Sequence, residues 1–203
     1  MNKKLKKYFL EYLDYPMTFV NQKIVELVNE YFDKIPDYFY KVPASSTRKY
    51  HPSFDHGDGG LLRHTQMTCE ILKEFQRMNE YKNLNFFDMM VACILHDTFK
   101  NGYIDNNRTV ASHAAIAADE FYDTYIHHKY TEKDLEYTSG NVTYNYAGEL
   151  YERVMNICSM IRTHMGQWGA IRPQTDSEKL VHLADYVVSR KCWDKFNEVS
   201  NDN

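Results

Sequence analysis

His96 and Asp97 stand side by side near the middle of a 203-residue chain, with His64 before them and His113, His164 and Asp185 after. Imidazole nitrogen and carboxylate oxygen are good donors to Zn, Mn or Fe, and an adjacent His-Asp offers one of each from a single helix end. The dipeptide alone is a common accident of sequence, so the phase of all six residues decides whether they can meet. His64 falls in the series Leu61, His64, Thr68, Ile71, Phe75, Met78. His96 continues Met89 and Cys93, Asp97 continues Met90 and Ile94, and His113 lies between Val110 and Ala117. His164 ends the run Leu150, Val154, Ile157, Ile161, and Asp185 lies between Val181 and Val188. These are steps of three and four, so each residue faces an apolar helical stripe. A lone histidine in such a place is ordinarily a hydrogen-bonded core residue, and Asp185 alone has Lys179 and Arg190 as ionic partners. Six in core phase are another matter: two buried carboxylates facing one interior require cations.

The elements that must position them read as helices almost throughout. Residues 3–14 and 17–34 form an N-terminal pair broken at Pro16 and Pro36, and 37–59 is mostly loop, with Pro43, Pro52 and two glycines. Five core helices follow, at about 60–79, 85–97, 109–126, 147–165 and 176–192. Thr175 and Glu178 make a capping-box pattern that fixes the start of the last one. Asn141 to Tyr146 is strand-like in composition after a Ser139-Gly140 turn, and predicts a short ribbon or lid. The fold class expected is all-α: a single domain spanning 1–203, its core at about 50–192 and residues 1–36 a helical extension.

The stretch from His51 to Thr65, with Gly-Gly-Leu-Leu-x-His-Thr at its end, together with His96-Asp97-x-x-Lys100, His113, His164 and Leu183-Ala-Asp185, resembles the HD-domain superfamily of metal-dependent phosphohydrolases. It is most similar to the HD domain of a bacterial 3′-to-5′ exoribonuclease family and of small stand-alone HD proteins, over about residues 50 to 192. The resemblance implies a helical bundle in which His64, His96, Asp97 and Asp185 hold one divalent metal while His113 and His164 complete a second. Mn, Fe, Co, Ni and Zn all suit such donors. No nucleic-acid-binding barrel stands ahead of the HD region, as it does in the exoribonuclease. A branch resembling myo-inositol oxygenase uses the same ligand order to hold two irons, which leaves a di-iron oxygenase as an alternative.

Around this set, Lys100 sits one turn after Asp97 and is expected to act with it in catalysis as a point charge on a phosphate oxygen; Arg63, Arg108 and Arg162 are candidates for bidentate grip on another. His56 and Asp58 lie in the glycine-rich loop before the first ligand helix and are read as substrate contacts, with helix capping as the competing role. A formal net charge of −4 disfavours a broad duplex-binding surface and favours a small phosphorylated substrate, a nucleotide in the first instance. The lysines at 3, 4, 6 and 7, interleaved with Leu5, Tyr8, Phe9, Tyr12 and Leu13, read as the solvated face of an amphipathic helix. Four dispersed cysteines suggest neither a zinc ribbon nor a disulfide framework and point to a reducing cytoplasm, and the best apolar run, Val91 to Leu95, is far too short to span a membrane. The expected function is hydrolysis of a phosphomonoester or phosphodiester by metal-activated water. A 3′-end nuclease on single strands and a non-catalytic nucleotide sensor are the further alternatives.

Overall fold

The segment Phe86–Leu95 is apolar on every side apart from Asp88, and all ten of its residues are buried. A helix hydrophobic all round belongs at the centre of a bundle, and this one sits there in the computed structural model, which describes residues 9–47, 49 and 51–195. The helices are α1 (Phe19–Tyr31), α2 (Gly60–Gln76), α3 (Phe86–Leu95), α4 (His113–His127), α5 (Ala147–Thr163) and α6 (Asp176–Val188). The central α3 packs against α2, α5 and α6; α4 lies along α5, and α1 closes the far side against α4 and α5. The five core helices α2 to α6 are those expected, each shorter at one or both ends. Of the first N-terminal helix only residues 9–11 are helical among the described residues, and most of the predicted 3–14 span lies outside them. Phe9, Tyr12 and Leu13 are buried, as the amphipathic reading of that segment requires.

Local signals explain the boundaries. Thr18 and Thr175 accept from the backbone N–H three residues on, and Glu178 reciprocates to Thr175 in a full capping box. The sequence predicts the third core helix, α4, from 109, but it begins at His113. The Val110 N–H is committed to the Lys100 carbonyl at 2.8 Å, so it ties the loop back to the end of α3 instead of opening a helix. The predicted ribbon is a two-stranded hairpin, β1 (Glu136–Ser139) and β2 (Val142–Asn145), turning through Gly140 at φ +61°. All eight of its residues are exposed, so it is an appendage to an otherwise helical body. Arg153 links three helices by donating to Asp88 at 2.6 Å and to Asn21 at 2.7 Å. No helix among the described residues is long and apolar enough to cross a membrane.

Candidate metal centre

Four of the six ligand-type residues come from helix ends. His96 and His164 are the C-caps of α3 and α5, Asp97 is in the turn after α3, and His113 opens α4; only His64 and Asp185 are interior. The last carbonyls of a helix have no intrahelical partner, and the two C-cap histidines use that fact. His96 Nδ1 donates to the Cys93 carbonyl and His164 Nδ1 to that of Ile161, each at 2.7 Å. His113 Nδ1 donates likewise to Val110 at 2.7 Å. A carbonyl can only accept, so the proton is on Nδ1 in all three rings and each presents the lone pair of Nε2 to the interior.

Those nitrogens converge on Asp97, one oxygen at a time. Oδ2 lies 3.4 Å from His96 Nε2 and 3.9 Å from His64 Nε2. Oδ1 lies 3.1 Å from His113 Nε2 and 3.6 Å from His164 Nε2, and these two nitrogens are 3.3 Å apart. Asp185 Oδ1 is on the first side, 2.8 Å from His64 Nε2 and 3.9 Å from His96 Nε2. Donors about 2.0–2.1 Å from one tetrahedral ion stand roughly 3.3 Å from each other, and the separations here, 2.8 to 3.9 Å, bracket that spacing. Two atoms in the cluster, His96 Nε2 and Asp97 Oδ1, are buried without any hydrogen-bond partner. Buried polar atoms are rarely left so, and a cation held among them satisfies both. The donor set fits a divalent metal.

Electrostatics agree. Burial works against ionisation of Asp97, but Lys100 and His96 outweigh it and hold its carboxyl well below the usual carboxylate range. Burial likewise opposes the charge of Asp185, and the hydrogen bond and charge of His64 reverse the effect, so that carboxyl too is depressed. His64 is the counterpart: desolvation is offset by hydrogen bonds to Asp185 and Asp55, and the imidazole is raised to about 9. Asp185 was weighed in the sequence against ion pairs with Lys179 and Arg190. Lys179 pairs with Asp176 instead, and Arg190 stacks on Tyr186 at 4.2 Å.

Asp55 is a residue the sequence reading missed. Fully buried, it takes His64 Nδ1 on Oδ2 at 3.1 Å, and His51 Nδ1 on the same oxygen at 3.1 Å. It forms the carboxylate–histidine unit that commonly orients a metal ligand. The glycine-rich loop makes this contact possible. A Cβ on Gly60 would stand 1.9 Å from the Asp55 carbonyl oxygen, and Gly57 and Gly59 adopt φ of +70° and +71°.

The other candidates are placed as follows. Lys100 Nζ is 2.5 Å from Asp97 Oδ2 and lines the cavity beside the cluster. Arg63 spends its guanidinium on the carbonyls of Phe54, His56 and Asp58 at 2.6 to 2.8 Å, bracing the glycine loop from outside. Arg162 pairs with Asp119. Arg108 is exposed, and neither it, Arg162 nor Arg63 lines the cavity. His56 Nε2 donates to the His51 carbonyl at 3.2 Å, and Asp58 is exposed; neither lines the cavity. The capping alternative for Asp58 fails too, since the N-cap of α2 is Gly59 with no side-chain bond. The cavity holds about 440 Å³ and is walled by His51, Lys100, His113, His164 and Asp185 at its inner end and by Trp168, Tyr186 and Arg190 further out. That volume suits a small molecule.

Helices converging a buried histidine–aspartate cluster on a cavity define a helical protein with a candidate metal site. A family model, the HD domain, matches residues 61–189, and the chain belongs to that family of metal-dependent phosphohydrolases. No curated protein and no solved structure matches it.

Proposed function

We propose that the protein hydrolyses a phosphoester of a nucleotide or related small phosphate, with two divalent ions held by one bridging aspartate. The observation that carries this reading is the division of Asp97: one oxygen faces His64 and His96, which Asp185 also approaches, and the other faces His113 and His164. Divalent ions bound there supply Lewis acidity and bring the pKa of water toward neutrality. The chain's own groups do the rest. Nδ1–H donation fixes each ring, so the ligand geometry is set before substrate arrives. Lys100 has three ammonium donors and uses one on Asp97, which leaves donors for a non-bridging phosphate oxygen at the cavity wall. The buried cluster excludes water from all but the cavity side.

The test is a metal-supplemented screen of the purified protein against nucleoside mono- and triphosphates, cyclic nucleotides, dinucleotides and short oligonucleotides, read by product identity. Asp97→Ala is expected to lose most bound metal and activity with helical content retained. Lys100→Ala is expected to keep its metal and lose roughly 100-fold in turnover. Undiminished metal in the Asp97 variant refutes the site, and normal turnover in the Lys100 variant removes that residue from the chemistry.

A further inference from the structure

The outer wall of the cavity is built from residues that follow metal-ligand candidates within five positions in sequence. Trp168 comes four residues after His164, in a short turn spanning Gly166–Trp168, while Tyr186 and Arg190 follow Asp185 by one and five positions. The first link is fixed tightly. His182 Nδ1 donates to the His164 carbonyl at 2.6 Å, and Gly166, at φ +55°, presses so closely on the His182 ring that a Cβ would stand 2.2 Å from it. Trp168 is thereby laid parallel to Tyr186, with an interplanar angle of 11° and centroids 5.8 Å apart. It remains 55% exposed although it lines the cavity. An indole held this way offers a flat π surface at low entropic cost.

Arg190 completes the wall. Its guanidinium lies 4.2 Å from the centroid of Tyr186 and 5.8 Å from that of Trp168. Its Nε is buried without a hydrogen-bond partner, and among the described residues no carboxylate pairs with it. A positive group packed on two rings and lacking an anion calls for one. Arg190 stands past the end of α6, beyond the C-cap Ser189, and lines the same cavity as the ligand cluster, where it suits a second anionic group.

Resting on the phosphohydrolase reading of the inner site, we infer that Trp168, Tyr186 and Arg190 form a specificity subsite for a phosphoester that carries a flat aromatic ring and a second negative group. Trp168 stacks on the ring, Tyr186 backs both partners, and Arg190 holds the second anion. In this assignment the three side chains set affinity and selectivity, and the bond-breaking step belongs to the inner cluster.

Two non-hydrolysable probes separate the roles: α,β-methylene-ADP, which has a ring and two phosphate groups, and methylenediphosphonate, which lacks the ring. Affinity of the metal-loaded protein is measured by calorimetry. Trp168→Ala is expected to weaken α,β-methylene-ADP roughly 10-fold and leave methylenediphosphonate unchanged, with Trp168→Tyr restoring most of the loss. Arg190→Ala is expected to weaken both by roughly 10-fold. The nucleotide probe should also quench tryptophan fluorescence in the parent and not in Trp168→Phe, in which Trp193 remains. Equal affinity of the Trp168→Ala variant and the parent for α,β-methylene-ADP overturns the subsite. If phosphoesters are nonetheless hydrolysed, the phosphohydrolase reading survives that result. If the probe pattern holds while no phosphoester is cleaved, the subsite stands and the hydrolase reading falls.

Discussion

His64 is gripped from both sides, by Asp55 on Nδ1 and by Asp185 on Nε2. Only the second contact competes with a metal; the first aims the ring at it. Asp55→Asn leaves an isosteric, uncharged group with one acceptor oxygen in the same place, so metal affinity is expected to fall roughly 10–100-fold while the fold persists. Calorimetric metal titration alongside a far-ultraviolet spectrum checks this, and unchanged affinity would mean that the ring is oriented by packing alone. The proton on His64 gives a second expectation at this scale. Its pKa is raised from 6.5 to about 9, so its charged form stabilises the metal-free protein fully below 6.5, and that contribution is lost as pH rises through about 9. Asp97 and Asp185 have depressed values, so their contribution is fully present above the ordinary carboxylate range and is lost progressively as pH falls below that range toward the depressed values. Metal binding runs the other way for His64: its Nε2 must shed the proton, so affinity should climb by up to about tenfold per pH unit between pH 7 and 9, with proton release. An affinity independent of pH across that window contradicts the ligand assignment of His64.

At the scale of elements, the loop before α2 works as a spring clip between Asp55 and the first ligand helix. Gly60→Ala forces a Cβ against the Asp55 carbonyl and should destabilise the protein by about 1–3 kcal/mol while also weakening metal binding. Gly57→Ala meets no atom within 4 Å and pays only for its left-handed backbone, so it should lower stability with metal affinity kept. Thermal unfolding and metal titration on the pair separate the two effects; equal metal affinity in both variants argues against the clip. The contrast also shows what could be read from the chain. His64, His96, Asp97, His113, His164 and Asp185 sit on apolar stripes whose helical period survives in the sequence, so their convergence was legible. Asp55 lies in a three-residue turn, where no period marks a buried side, and its role emerges only once Gly60 lets the turn fold over His64. Arg63 looked like a phosphate ligand because charge type says nothing about the three carbonyls around it. The late start of α4 escaped for a similar reason, since Val110 is bonded to Lys100, a residue ten positions away.

Across the whole molecule, α3 is the axis around which the site is assembled. It delivers His96 and Asp97 from its C-terminal end while its neighbours α2, α5 and α6 bring His64, His164 and Asp185 to the same point, and α4 adds His113 from its first residue. Such an arrangement fixes most of its ligands at helix ends and suits the proposed phosphoester hydrolysis by a Lewis acid, yet the same ligand order would also suit two irons for oxygen chemistry. An oxygenase needs redox-active iron and dioxygen; a hydrolase needs neither. The decisive measurement is therefore turnover of chelator-stripped protein reloaded with Mn, Co, Ni or Zn under strict anaerobiosis. The predicted result is release of inorganic phosphate or a nucleoside monophosphate that EDTA abolishes, whereas turnover confined to iron and matched by stoichiometric consumption of dioxygen would contradict it.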